Sequence, residues 1–294
     1  MSQPKATLEQ WTTFIAVVEE GSFAKAAEVL NKSQSAVSYT IANLNNELAS
    51  PVLQQQGRKA VLTEAGDVLY RRAKQLVKHA LEVEATSRCM AEGWETNITL
   101  AVDSIVPIDP VLNALRNFSE MAPQTRVTLL ETTLSGTDEA LFERRADMIL
   151  STRVPPGFLA TPVSEVIMIP VAHPNHPLAR AKQELTEQNL KQSRQIVIRD
   201  SGTKRIQSKG WLQAEQRLTV SHFATATKAL EQGLGFAWLP ESFAHDALQK
   251  GTLKQLNLPL NVSQKIQIYL VMAAPDTQGP AMVAFVEQLN KSFF

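Results

Sequence analysis

Gln34, Ser35, Ser38 and Tyr39 form a short run of uncharged hydrogen-bonding side chains, and their apolar neighbours decide where that run points. Val37, Ile41, Leu44 and Leu48 step by four, three and four residues, the spacing of one buried helical stripe. A turn of about 100° per residue then puts Ser35, Tyr39, Ala42 and Asn46 on the opposite side, with Gln34 and Ser38 on its flank. Amides, hydroxyls and phenols donate to and accept from base edges, and small neighbours let a helix enter the major groove of a duplex. An ordinary solvated face is also polar, but it usually carries Lys and Glu, which this one lacks. Further on, Arg58 and Lys59 stand where phosphates or a minor groove would be met, although any soluble turn carries such charge.

The elements that must hold these residues are short helices. Leu8, Trp11, Phe14, Ile15 and Val18 recur at helical spacing and stop at Gly21. Ser22 is placed to cap a second helix over 23–30, and Ser33 a third running to about Leu48. The tight turn at Asn31 and Lys32 between them gives a helix-turn-helix pattern. Pro51 stops the third helix; Val52-Leu53 and 60–62 then flank the polar stretch 54–59, which reads as a hairpin wing turning at Gly57. A long helix from Thr63 to about Ala91 follows. Its Leu69, Ala73, Leu76, Ala80, Val83, Ser87 and Met90 keep a strict four-three alternation, the seam of a helix paired with a second copy. Residues 21–78 hold eight basic and four acidic side chains, a local excess that fits binding to nucleic acid.

Beyond Asn97 the pattern changes. Strands are expected at 98–102, 126–131, 148–150, 166–172, 195–198, 218–222, 236–239 and 266–272. Helices are expected at 109–121, 137–145, 224–232 and 281–289, and the alternation implies a parallel sheet. Two subdomains with a ligand crevice near the strand ends fit this length.

The chain of 294 residues is 44% hydrophobic and carries 29 basic against 29 acidic residues, so it has ample material for a core and no net charge. Its single cysteine, Cys89, excludes an internal disulfide framework and a Cys-rich metal site, and reads as a small hydrophobe beside the helical seam. No apolar run reaches the roughly 18 residues of a membrane span, and the polar N-terminus does not resemble a signal peptide, so a cytoplasmic protein is expected. An enzyme or a ligand carrier is the alternative class. Against an enzyme, there is no phosphate-binding loop and no nucleophile elbow, and Gly233-Leu-Gly235 lacks the third glycine of a dinucleotide fingerprint. His173 and His176 lie in a Pro-rich loop without thiols or carboxylates to complete a zinc site. Neither metal nor cofactor is expected. A carrier, for its part, would not need the first ninety residues.

The N-terminal residues resemble the LysR-type transcriptional regulators. The likeness rests on the run from Phe14 to Phe23, on Ala26-Ala27, on Ser33-Gln-Ser-Ala-Val-Ser38, on Leu44, Leu48 and Pro51, and on Gly57-Arg58 and Leu62-Thr-Glu-Ala-Gly66. More weakly, 145–149, 176–179 and 232–240 are similar to the family's effector domain. The resemblance implies a winged helix-turn-helix over 1–65, all-α apart from its wing, and a linker and dimerisation helix over 66–92. It implies an α/β two-lobed domain over 96–294, like the periplasmic binding proteins, with lobes 96–164 plus 266–294 and 165–265. It further implies a regulator that binds promoter double-stranded DNA as a homodimer or tetramer and responds to a small molecule between the lobes. The DNA-binding residues would be Ser33, Gln34, Ser35, Ser38, Tyr39, Arg58 and Lys59. The effector would meet Ser104, Thr133, Ser135, Ser201, Thr203, His222 and Phe223. Helix starts after Ser104 and Gly202, with Lys204 or Arg205, would favour a small anion, which Asp103 and Asp200 would oppose unless turned away. Two departures stand out. Leu53-Gln54-Gln55 replaces the family's aromatic, acid and arginine on the wing, and Tyr39 stands where a basic residue is common. Both point to a smaller salt dependence of DNA binding than a more basic relative would show.

Overall fold

The computed structural model describes residues 3–56, 59–204, 207, 209–258 and 264–293. The chain divides into two compact units, Met1–Glu92 and Gly93–Phe294.

The first unit begins with α1 (Leu8–Glu20), whose capping box joins Thr7 and Gln10 reciprocally, and which ends at Gly21 in the left-handed region with φ +67°. α2 (Phe23–Val29) is capped by Ser22 and α3 (Gln34–Glu47) by Ser33, each hydroxyl accepting from the backbone N–H three residues on. Phe14, Val17, Ala26, Ala27, Val37, Ile41 and Leu44 meet in one small core. β1 (Leu53–Gln56) and β2 (Lys59–Leu62) form the antiparallel wing, with Leu53 opposite Leu62 and Gln56 opposite Lys59. α4 (Glu64–Ala91) starts on the Thr63 cap and runs for 28 residues. Its third residue must be glycine: a Cβ on Gly66 would lie 1.9 Å from the Val52 carbonyl oxygen. Of its seam, Ala73 is buried while Leu76, Val83 and Met90 are 48%, 70% and 58% exposed.

Among the described residues, the second unit is built on a nine-stranded sheet. β3 (Asn97–Asp103), β4 (Arg126–Thr132) and β5 (Met148–Ser151) are parallel, as the alternation with α5 (Ile108–Met121) and α6 (Ser135–Phe142) implies. The sheet as a whole is mixed, contrary to the expected parallel arrangement. β6 (Ala160–Ala172) runs antiparallel to its neighbours, because the chain crosses the sheet directly instead of returning through a helix. α7 (Pro177–Arg180), α8 (Glu187–Lys191), β7 (Gln195–Ile198), β8 (Arg217–Val220), α9 (Phe223–Glu231) and β9 (Phe236–Pro240) follow. Then come α10 (Glu241–Gln249), the two-residue β10 (Lys254–Gln255), β11 (Gln264–Met272) and α11 (Pro280–Phe293). The strand order is β4-β3-β5-β11-β6-β9-β7-β8, with β10 on β6. Both expected lobe crossings fall on the antiparallel β6–β11 ladder, where the register shifts by a bulge between Ile268 and Tyr269. Phe118 of α5 packs on Phe285 of α11 with ring centroids 4.9 Å apart, over a core drawn from the sheet.

Candidate functional site

The first candidate surface is the outer face of α3. Ser33 Oγ accepts from Ala36 N at 3.2 Å and lies 3.0 Å from Ser35 Oγ, so the helix start is fixed by its own hydroxyls. Gln34, Ser35, Ser38 and Tyr39 are exposed, Tyr39 by 69%, while Val37, Ile41 and Leu44 on the other side are buried. An aromatic ring in water on a helix whose apolar stripe is already satisfied has no packing role. Asn45 Oδ1 accepts from Val52 N at 2.9 Å and so joins α3 to the wing. Gly57 and Arg58 lie outside the described residues, and the Gln56–Lys59 pair ends the described ladder.

The charge of this unit corrects the reading drawn from 21–78. Residues 1–92 hold ten basic and ten acidic side chains, because Glu9, Glu19, Glu20, Glu82, Glu84 and Glu92 fall outside that window while only Lys5 and Arg88 are added on the basic side. Several meet the bases directly: Lys32 pairs with Glu9, Lys74 with Glu19 at 2.9 Å and Lys78 with Glu82 at 3.7 Å. The unit is neutral, and its surface pairs screen part of the cationic side.

The second candidate site is a cavity of about 530 Å³ in the second unit. At one end it meets the loops after β3 and β4, where Ser104 Oγ and Thr133 Oγ1 lie 3.1 Å apart. Leu134, with φ +52°, is strained for a leucine, and its N–H is held at 3.0 Å by Asp103 Oδ2. At the other end it meets β7, β8 and β9. Ile196, Ala237 and Leu239 border it from one face; Gln195, Val197 and Arg199 alternate onto the other, with Arg217 and Thr219 in register beside them and Trp238 on β9. Trp211 closes over that face, 5.7 Å from the Trp238 ring. Phe223, 7% exposed at the start of α9, completes the lining.

Of the seven expected contacts, Ser104, Thr133 and Phe223 line the cavity; Ser135, Ser201, Thr203 and His222 do not. The first three of these non-lining residues are spent on a clasp beside it. Ser135 donates its hydroxyl to Asp200 Oδ2 at 2.6 Å, and Ser201 Oγ accepts from Thr133 N at 2.8 Å. The Thr203 N–H and hydroxyl both donate to the Glu139 carboxylate, at 2.9 and 3.2 Å, and Lys204 N does so at 2.8 Å. No helix starts after Gly202 among the described residues: the amides expected to aim at an anion point at Glu139, a buried acid on α6. Lys204 Nζ pairs with Glu143 at 2.6 Å, and Arg205 lies outside the described residues. His222 is exposed at the N-cap of α9, two residues past the end of β8 rather than within it. α6 opens at Ser135, two residues earlier than the periodicity predicts, because Ser135 N donates to Asp200 Oδ1 at 3.1 Å and needs no helical partner.

The two aspartates are turned inward. Burial pushes the Asp103 carboxyl up to about 6, against hydrogen bonds from Ile105 N, Leu134 N and Thr137 and the charge of Lys209. Burial also acts to raise Asp200, but donation from Ser135 and from backbone amides outweighs it and holds this carboxyl below its ordinary value. Asp200 therefore stays ionised and fully partnered, and neither acid faces the cavity as a free anion. Sequence reading missed Glu139, Gln195, Arg199, Lys209, Trp211, Arg217 and Trp238. The period-two alternation of β7 was the available signal for Gln195 and Arg199; nothing local marks Glu139 as a receiver of distant amides.

The sequence matches the bacterial regulatory helix-turn-helix protein pattern of the lysR family over residues 8–67 and the LysR substrate binding domain over residues 91–293. The chain belongs to the LysR family. The uncharacterized regulator YeeY of Escherichia coli is 30% identical over 243 residues, 81% of this chain and 79% of the relative. The probable regulator YhaJ of the same organism is 27% identical over 293 residues, 98% and 97% of the two chains. Among solved structures, full-length LysG of Corynebacterium glutamicum with bound effector arginine covers 98% of each chain at 18% identity, with a TM-score of 0.54. The Vibrio cholerae virulence activator AphB covers 98% of this chain and 100% of its own at 20% identity, also with a TM-score of 0.54. These structures share the fold. The LysR match covers both units: the helix-turn-helix pattern ends just inside α4, and the substrate-binding pattern holds the whole cavity. The protein is thus a LysR-type transcriptional regulator with a DNA-binding and an effector-binding domain, and not an enzyme. No helix among the described residues is long and apolar enough to cross a membrane.

Proposed function

We propose that the regulator reads a promoter inverted repeat in the cytoplasm, with Ser33, Gln34, Ser35, Ser38 and Tyr39 toward base edges and backbone, and Arg58 and Lys59 toward phosphate. The observation that carries this is the exposed, uncharged face of α3, capped at its start and tied to the wing through Asn45. α4 pairs two chains through Leu76, Val83 and Met90, so that two reading helices meet two half-sites, in a dimer or tetramer. The effector is a small anion held in the second unit, with Ser104, Thr133 and Phe223 as lining contacts. Ser135, Ser201 and Thr203 form the clasp that sets the closed geometry, and His222 flanks it. The lobes, 96–164 with 266–294 and 165–265, move about the β6–β11 ladder.

A gel-shift titration on the regulator's own promoter tests the DNA reading. A Ser38→Ala, Tyr39→Ala double variant leaves thermal melting unchanged, since both side chains are exposed, and weakens operator binding at least about tenfold. Full affinity with an unchanged preference among operators would overturn the assignment of α3. Deleting residues 1–92 is expected to abolish DNA retention while leaving ligand binding intact.

A further inference from the structure

The lining chemistry narrows the ligand class, on the reading that this cavity receives the effector. Gln195 is 3% exposed and lies on the cavity face of β7. Its Nε2 donates to the Trp211 carbonyl at 2.7 Å, which fixes the amide orientation, since an oxygen there would face an oxygen. Oε1 is then a buried acceptor with no donor among the described residues. A buried acceptor left without a donor is a standing demand for an N–H or O–H. Beside it the Trp211 and Trp238 indoles form an aromatic wall, with centroids 5.7 Å apart and Phe236 behind them at 6.1 and 5.6 Å. At the polar rim, neither the Arg199 guanidinium nor the Lys209 ammonium has an ion pair or side-chain hydrogen bond among the described residues, and the Lys209 charge acts on Asp103. Because Asp103 and Asp200 have committed their oxygens to backbone amides and to the Ser135 hydroxyl, the uncommitted charge of the cavity is positive.

We propose that the effector is a planar aromatic carboxylate carrying a ring N–H or O–H. The ring lies on Trp211 and Trp238, the ring donor meets Gln195 Oε1, and the carboxylate meets Arg199 and Lys209. A cavity of about 530 Å³ lies within the ordinary range for a ligand of this kind.

Four probes, measured by calorimetry on the full chain, separate the parts of the proposal: indole-2-carboxylate, 2-naphthoate without the donor, indole without the acid, and succinate without the ring. Indole-2-carboxylate is expected to bind best, about tenfold tighter than 2-naphthoate, the effect of one unmet neutral hydrogen bond. Gln195→Met is expected to erase that difference. The wild-type comparison decides the point even if the variant fails to fold. Equal binding of indole would remove the anion contact, equal binding of succinate the aromatic one, equal binding of 2-naphthoate the Gln195 contact, and no binding by either ring acid would overturn the class. A Val197→Trp variant, which fills the cavity, keeps the site reading separate. A polar anion that alters DNA binding in the wild type but not in Val197→Trp would overturn the class and leave the site standing. A compound that acts equally on both would overturn the site.

Discussion

A carboxyl on the cavity wall that burial pushes up to about 6 ties folding to pH. Asp103 is protonated in the folded chain up to about pH 6, whereas in an unfolded chain it ionises above 3.8. The folded state therefore binds the extra proton, and stability falls as pH rises between those two values, by about 3 kcal/mol for this group alone. Denaturant titrations at about pH 4 and about pH 7 should show a smaller loss in Asp103→Asn than in the wild type. A variant with an unchanged loss would place the titration elsewhere. At this scale the sequence was readable where function rests on local spacing. The exposure of the α3 face follows from periodicity, and the Ser22 and Ser33 caps from the residue type just before each helix, because each helical turn fixes its own neighbours. The clasp was not readable. Ser135, Ser201 and Thr203 are the right residue types near the right place, but their hydroxyls answer to Asp200, Thr133 and Glu139 across 64 to 68 residues of chain.

Among the elements, the clasp turns on two glycines. A Cβ on Gly202 would lie 2.0 Å from Ser135 Oγ, and one on Gly136 would lie 2.0 Å from Ser201 Oγ. Gly202→Ala is expected to cost about 1–3 kcal/mol by overpacking, measured by denaturant midpoint, and Ser135→Gly in the same chain should restore part of it by clearing the space. No recovery would mean that the strain lies in the loop backbone. α4 makes a second prediction. Glutamates at Leu76 and Val83 change exposed positions, so the secondary structure and melting of each unit should hold while sedimentation shifts to a smaller species. An unchanged sedimentation coefficient would remove the seam. Most elements were legible from alternation and caps, β7 to the residue. The orientation of β6 was not, because period and composition record that a strand exists and leave open which way its neighbours run.

For the whole molecule, electrical neutrality matters more than any single pair. With ten basic and ten acidic residues in the DNA-binding unit, few phosphates can be neutralised, so affinity should fall gently with salt. Lys59→Ala should lower the magnitude of the log–log salt slope by about one if it meets a phosphate, and leave the slope unchanged if it does not. Family membership was legible from the N-terminal signature because those residues serve a shared fold and a shared ligand, DNA. The cavity lining was legible only in part, since it comes from strands and loops far apart in the chain. The β6–β11 ladder carries a further consequence. Paired antiparallel strands resist sliding, so the two halves of the sheet can exchange positions only by twisting this ribbon, and the bulge at Ile268 and Tyr269 is where twist is softest. Amide exchange along 264–272 should therefore be slow except at that step, and an effector that arrests the twist would register there as added protection.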